Sequence, residues 1–224
     1  MEILTNLHKK ILTVFSSLHD ADSFCFTGGT ALSAFFLNHR RSEDLDFFTS
    51  TGELISPFSY TLESALRNEN LKVEKVRGFS SFTELFVSSS NESTVIHIAL
   101  DAPFRLENTI TSDEFPRLRI DSLKDISTNK LLALFGRANF KDFVDVYFIV
   151  QNHYTRKELA EFAKQKDPGF DLYWLGIAFE RMENFAGSTP EMHLLVRPCT
   201  MQKLKEFFRD WRKEIIGEIR GDKQ

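Results

Sequence analysis

The chain has 224 residues, of which 42% are hydrophobic and 27% charged, and its formal net charge is -4. This composition is ordinary for a folded globular protein and excludes disordered and fibrous classes, while the negative charge argues against a protein that coats nucleic acid by bulk electrostatics. Two distant cysteines and no run of roughly 18 apolar residues exclude a disulfide framework, a cysteine zinc site and a membrane span, so we expect a soluble protein of the reducing cytoplasm.

Apolar periodicity predicts the elements of the first half in chain order. A helix is expected over residues 3–18, where apolar side chains recur at helical spacing. A short buried strand over residues 24–27 ends at a glycine pair, after which Thr30 is expected to cap a helix. A second strand over residues 44–48 and a helix that begins at Ser56-Pro57 follow. Three β-rich runs come next, over residues 71–76, 82–87 and 94–100, and predict an antiparallel extension of the sheet.

The chain changes character after Pro116. Ser122 and Asp125 form a capping-box pattern that leads into a helix, and Thr155 with Glu158 forms another. Helical patterns then dominate to the end. We therefore predict an α+β fold, with a mixed β-sheet flanked by helices over residues 1–120 and a mainly helical domain over residues 121–224.

Two aspartates on the second predicted strand are the first candidate for chemistry. Because successive side chains of a strand point to opposite faces, Asp44 and Asp46 share one face while Leu45 and Phe47 enter the core. Two carboxylates on a rigid strand suit Mg²⁺, which combines a few carboxylates with phosphate oxygens and water. An acidic strand end that simply faces water is the alternative.

A glycine turn precedes this strand by one predicted helix. Gly28 and Gly29 allow the backbone to approach a ligand closely, and a helix that begins near Thr30 offers free amide groups to a phosphate. The sequence thus predicts a phosphate and a metal ion at one place. A tight turn with an ordinary threonine cap is the competing interpretation.

A third carboxylate is available at the end of the last predicted strand. Alternation places Asp101 on the same face as His97, so Asp44, Asp46 and Asp101 are candidates for a triad that holds two Mg²⁺ ions for in-line phosphoryl transfer. Asp101 also precedes Ala102-Pro103, and an aspartate before a turn is common.

Two runs in the first half carry a family resemblance. They are Phe26-Thr27-Gly28-Gly29-Thr30-Ala31-Leu32 and His39-Arg40-Arg41-Ser42-Glu43-Asp44-Leu45-Asp46-Phe47-Phe48. Together they resemble the AbiEii/AbiGii toxin family of bacterial nucleotidyltransferases, in the DNA polymerase β-like superfamily. The resemblance implies that residues 1–120 form a nucleotidyltransferase core, and it covers about residues 20 to 150.

The resemblance continues in the helical half. The segments 125–134 and 141–147 are similar to the family's downstream lysine motif and its Arg/Lys-Asp-x-x-Asp motif. The resemblance implies that Lys130 contacts nucleotide phosphates and that Asp145 supports the site. Lys141 is a further candidate nucleotide ligand by this resemblance. It stands where many members have arginine, which replaces a bidentate fork with a point charge. From the residues alone, Lys130 has a solvent-directed alternative, and Asp142 and Asp145 have structural ones as helix caps or ion-pair partners.

Three residues directly before the acidic strand are candidate triphosphate ligands: Arg40, Arg41 and Ser42. A structural ion pair is the alternative for the arginines. His39 is expected to pack or form a hydrogen bond, because two-metal chemistry requires no histidine base.

The resemblance implies a Mg²⁺-dependent enzyme that transfers a nucleoside monophosphate from an NTP. It further implies the toxin of a type IV toxin–antitoxin or abortive-infection pair, with a tRNA acceptor end as the target and a cognate antitoxin as partner. Two alternatives stay open: transfer to a small molecule or a protein hydroxyl, and a non-catalytic nucleotide-binding protein of the same fold.

Overall fold

The computed structural model describes residues 3–187 and 189–221, which divide into two compact units. The first contains residues up to Phe36 and from Arg41 to Leu123, and the second contains Leu37–Arg40 and residues from Lys124 onward. The chain therefore passes between the units at three points. Within the described residues, no helix is both long and apolar enough to cross a bilayer.

In the described part of the first unit, six strands form one mixed sheet. The strands are β1 (Cys25–Thr27), β2 (Asp44–Thr49), β3 (Lys72–Phe79), β4 (Phe82–Ser88), β5 (Ser93–Leu100) and β6 (Arg119–Ile120), in the order β3-β4-β5-β2-β1-β6. The antiparallel β3-β4-β5 meander confirms the predicted extension. The β2 strand pairs in parallel with β5 and antiparallel with β1, so the acidic strand is central. The short β6 strand, parallel to β1, was not predicted.

From residue 3 onward, the α-helices of the same unit are α1 (Asn6–Ser17), α2 (Gly28–Leu32) and α3 (Ile55–Asn68). The Phe15 ring of α1 stacks on Phe47 of β2 at 3.8 Å between centroids, and Phe58 of α3 lies 4.9 Å from Phe15. Both Phe15 and Phe47 are fully buried. The predicted apolar face of β2 is therefore the core face, and α1 and α3 cover it.

Two predicted helix starts in the first unit are wrong. Thr30 lies inside α2, which begins at Gly28, and its hydroxyl donates to the carbonyl oxygen of Asp44 instead of capping the helix. The α3 helix begins at Ile55 because a 3-10 turn over Gly52–Leu54 leads directly into it. In both cases the helix begins before the residue that the local pattern indicated, directly after β1 for α2 and after a 3-10 turn for α3.

The second unit is helical. Its helices are α4 (Leu123–Gly136), α5 (Phe140–Asn152), α6 (Arg156–Lys166), α7 (Leu172–Glu180) and α8 (Met201–Arg220). The predicted capping box at Thr155 and Glu158 is present at α6. An aromatic cluster fills the core, where Phe143 of α5 and Phe179 of α7 each lie about 5 Å from Phe208 of α8. The α+β prediction is therefore confirmed.

Candidate active site

The two aspartates of β2 share one face of the central strand, as the alternation predicted. Asp44 and Asp46 are partly exposed, while Leu45 and Phe47 between and beyond them are fully buried. The Asp46 side chain keeps 23% of its surface accessible. Because the opposite face of β2 is anchored in the core, the backbone that carries both carboxylates belongs to a rigid element.

The glycine turn lies directly against this face. Thr27 of β1 pairs with Asp46, and Gly28 follows with a φ of +76°. A Cβ atom on Gly28 would lie 2.1 Å from Oδ2 of Asp46. Only glycine tolerates both this backbone conformation and this distance. The turn and the acidic strand therefore form a single structural feature.

The predicted carboxylate triad is wrong in its third member. Residue pairing between the parallel strands sets Asp44 beside Val95 and Asp46 beside His97. Asp101 follows the end of β5, where its amide donates to the carbonyl oxygen of Thr49. It lies four residues beyond His97, or about 13 Å along the strand at roughly 3.3 Å per residue. Asp101 does share the face of His97, but the register places it at the other end of the sheet.

The metal-binding potential of this face depends on the two β2 aspartates. Among residues 3–187 and 189–221, no three His, Cys, Asp or Glu side chains are arranged to hold a metal ion. Two carboxylates on one accessible face still fit Mg²⁺, because this ion keeps several waters and takes further oxygens from substrate phosphates.

His97 occupies the position beside Asp46 and was not singled out from the sequence. Its Nδ1 lies 2.9 Å from Oδ1 of Asp46. The hydrogen bond to Asp46 raises the pKa of His97 against the opposing effect of burial, and the nearby charges of Asp46, Asp44 and Glu84 add to this rise. The β2–β5 register was the missing signal, since alternation alone gives the face but not the level along the strand.

The three residues Arg40, Arg41 and Ser42, which precede β2, lie in two different environments. Arg40 is only 3% exposed. Its Nε and Nη2 atoms donate to the two carboxylate oxygens of Asp145 at 2.6 and 2.8 Å. The prediction that Arg40 binds nucleotide is therefore replaced by its structural alternative, a buried ion pair. Arg41 is exposed and Ser42 is partly exposed, so both side chains are accessible.

Asp145 lies at the centre of a buried charged cluster in the second unit. Besides Arg40, it accepts a hydrogen bond from Nε2 of His39 at 2.7 Å and pairs with Nζ of Lys130 at 2.9 Å. Burial by itself would raise the pKa of Asp145, but Arg40 and Lys130 outweigh that effect and hold it well below its usual range. Burial lowers the pKa of His39 and favours its neutral form.

The geometry of Asp145 is that of a buried ion-pair partner. Both carboxylate oxygens already accept from protein groups, and the side chain is fully buried. Asp145 therefore orients Lys130, whose side chain is 10% exposed. His39 has the hydrogen-bonding role expected of it.

The other two charged residues of the segment 141–147, Lys141 and Asp142, also lie in different environments. Asp142 is fully buried and accepts two hydrogen bonds from Arg137, at 2.8 and 2.9 Å, which is one of the structural roles expected for it. Lys141, a predicted phosphate ligand, is partly exposed at the start of α5.

The mixed sheet with an Asp-x-Asp pair on a central strand, next to a glycine turn, defines a protein of the nucleotidyltransferase fold. The model of one family, described as the nucleotidyl transferase AbiEii toxin of a type IV toxin–antitoxin system, matches residues 10–211. The chain belongs to this family, and the resemblance seen in its motifs is confirmed.

Individual proteins are also similar to this chain, and the solved structures among them share its fold. An uncharacterised protein of Aquifex aeolicus (strain VF5), aq_aa25, is 26% identical over 217 residues, which cover 96% of this chain and 99% of that protein. The crystal structure of JHP933 from Helicobacter pylori is similar with a TM-score of 0.56 and 18% identity, covering 97% of each chain. MenT4, a nucleotidyltransferase toxin from Mycobacterium tuberculosis H37Rv, is similar with a TM-score of 0.64 and 17% identity, covering 93% of this chain and 81% of that one.

Proposed function

We propose that this chain transfers a nucleoside monophosphate from an NTP to the acceptor end of a tRNA, with Mg²⁺ bound by Asp44 and Asp46. The observation that carries the proposal is the pair of accessible carboxylates on one face of β2, of which Asp46 packs against the Gly28 turn. Membership in a nucleotidyltransferase toxin family supports the reaction class. It also supports a cognate antitoxin as a partner.

The proposed reaction is a displacement at phosphorus. An acceptor hydroxyl oxygen forms a bond to the α-phosphorus of the NTP, the bond to the bridging oxygen breaks, pyrophosphate leaves, and the hydroxyl proton passes to solvent. When bound, Mg²⁺ supplies positive charge to the leaving pyrophosphate and activates the attacking hydroxyl. Asp44 and Asp46 would hold the cation, and the rigid strand would keep both carboxylates in place during the reaction.

Positively charged and polar side chains are proposed to bind the triphosphate. Lys130 is the main candidate because Asp145 orients its ammonium group and the family resemblance gives it this role. The accessible side chains of Arg41, Ser42 and Lys141 are further candidates. The backbone of Gly28 and Gly29 allows a phosphate to approach without steric conflict.

The transfer reaction is tested by incubating the protein with each α-labelled NTP, Mg²⁺ and total tRNA. We expect label on tRNA. Label only on the protein or on a small molecule would contradict the tRNA acceptor and favour the alternative transferase. Mg²⁺-dependent NTP binding without transfer to any of these acceptors would contradict catalysis and favour a nucleotide-binding protein.

Two aspartate variants test the assignment of the site. Asp46→Asn should lower the transfer rate by at least about 100-fold, because it removes a charged ligand from the reacting centre. Asp101→Asn is the matched control and should keep the rate within about twofold, because Asp101 lies at the opposite end of the sheet. Equal loss in both variants, measured in the labelling assay, would refute the register-based assignment.

A further inference from the structure

His97 lies where the sheet register would place a third carboxylate beside Asp46. It pairs with Asp46 on β2 and with Glu84 on β4. Its side chain is 28% exposed, on the same face as the two aspartates. Besides the backbone pairing of the two strands, a side-chain contact joins β5 to the acidic pair, from Nδ1 of His97 to Oδ1 of Asp46 at 2.9 Å.

The hydrogen bond has a defined direction. A carboxylate accepts and does not donate, so Nδ1 of His97 carries the hydrogen and donates it to Asp46. Phe82 of β4 restricts the imidazole, with ring centroids 5.7 Å apart and planes inclined by 31°. The donor therefore belongs to a ring that is packed on one side and bonded on the other.

The other oxygen of Asp46 is also fixed in position. Oδ2 faces the Cα atom of Gly28 so closely that a Cβ atom there would lie 2.1 Å away. Asp46 is thus constrained from two directions, by a hydrogen bond at Oδ1 and by backbone at Oδ2. A carboxylate held in this way loses little conformational freedom when it binds a cation.

We propose that His97 is a positioning residue that raises the metal affinity of this site by orienting Asp46. The proposal rests on the metal site of the proposed function. Hydrogen-bonding partners of metal ligands fix ligand orientation, and their removal lowers metal affinity by about 10- to 100-fold. His97 fills this role because it lies beside Asp46, on the face of the sheet where the sequence predicts Asp101 as a third ligand. The site therefore has two carboxylate ligands and an imidazole that supports one of them.

The test measures Mn²⁺ binding to the purified protein by electron paramagnetic resonance of the free ion, without substrate. Mn²⁺ serves as the probe because carboxylate sites that suit Mg²⁺ also suit Mn²⁺. His97→Phe keeps a packed ring beside Phe82 but removes the donor, and we expect it to weaken Mn²⁺ binding about 10- to 100-fold. His97→Ala should show the same loss, and it serves as a second donor-free variant if the phenylalanine does not fit.

His97→Asn is the conservative variant that separates positioning from general structural damage. The amide nitrogen of asparagine lies close to the place of Nδ1 and donates a similar bond, so Mn²⁺ affinity should stay within about threefold of the original. His19→Ala is the matched control, because His19 belongs to the same unit and its side chain is 92% exposed. It should bind Mn²⁺ unchanged.

The outcomes distinguish this proposal from the one on which it rests. Unchanged Mn²⁺ affinity in both donor-free variants, or an asparagine variant as weak as they are, would overturn the role of His97. If Asp46→Asn binds Mn²⁺ as well as the original chain, the metal site itself is wrong. Loss in Asp46→Asn with no loss in His97→Phe would leave the metal site in place and reject only the positioning role.

Discussion

The close contact between Gly28 and Asp46 is tested by adding a single methyl group at Gly28. Gly28→Ala would place a Cβ atom at 2.1 Å from Oδ2 of Asp46 and impose a left-handed φ on alanine. We expect a loss of about 1–3 kcal/mol in the free energy of unfolding. We also expect a sharp loss of nucleotide transfer, since Asp46 must move. Urea denaturation and the labelling assay measure the two effects.

A second glycine provides the control for this substitution. Gly136, at the end of α4, has no heavy atom within 4 Å of the place where a Cβ would lie. Gly136→Ala should therefore leave stability unchanged or raise it by up to about 1 kcal/mol. A Gly28→Ala chain as stable and active as Gly136→Ala would show that the close contact has no consequence.

The residue scale shows where sequence reasoning succeeds and where it stops. The common face of Asp44 and Asp46 follows from strand alternation, which is a local property. The partner of Asp46 depends on which residue of another strand lies beside it, and 51 residues separate it from His97. A pattern confined to one strand does not contain that register, so it indicates Asp101 and does not indicate His97.

At the scale of a single element, substitutions of the two aspartates of α5 should differ in how much they lower the free energy of unfolding. Asp145→Asn removes the negative charge between Arg40 and Lys130, and it should lower the free energy of unfolding by about 3–5 kcal/mol because buried cations lose their counter-charge. Asp142→Asn, three residues earlier, is the matched control. Its partner Arg137 is 60% exposed and can turn to water, so we expect a smaller loss. Thermal and urea denaturation of both variants check this order, and equal losses would contradict it.

Element boundaries depended on how local their causes are. The α6 helix starts where predicted because Thr155 and Glu158, three residues apart, satisfy each other's backbone groups. Thr30 has the right chemistry for a cap, yet its hydroxyl bonds to Asp44 on another element. Asn139 stands at the N-cap of α5, but its side chain makes no capping bond. Caps closed within one turn are predictable, while those that compete with tertiary contacts are not.

The stability of the whole chain should carry a pH dependence from His39. Burial lowers its pKa in the folded state, while the unfolded value is about 6.5. The unfolded chain therefore binds more protons between these two values. The contribution of neutral, buried His39 to the free energy of unfolding is therefore present above about pH 6.5. It is lost as the pH falls toward the pKa of His39 in the folded state. The depressed pKa of Asp145 acts in the same direction, but only below about pH 4.

His39→Gln isolates this effect because it keeps a side-chain donor without a titrating ring. The stability difference between the original chain and the variant should shrink as the pH is lowered from 8 to 5, by at most about 1.4 kcal/mol per pH unit. Chemical denaturation at a series of pH values measures the difference. Histidines common to both proteins, such as His8 and His97, cancel in it. A constant difference across this range would show that His39 does not titrate on unfolding.

At the scale of the whole molecule, the order of elements was sufficient to predict the fold class. Strands concentrated before residue 120 and helices after it indicate α+β architecture. The assignment of Leu37–Arg40 to the helical unit was not predictable in the same way. It depends on the pairing of Arg40 with Leu195 and with Asp145, both more than 100 residues away along the chain.

Those four residues also limit how family members can be recombined. A chimaera joined only at Leu123 would combine His39 and Arg40 from one parent with Asp145 and Lys130 from the other. A crossover that preserves the buried charges has to transfer residues 37–40 together with the helices, although residues 41–123 separate the two along the chain. The helical unit is thus formed by two separate stretches of sequence, residues 37–40 and the residues from Lys124 onward.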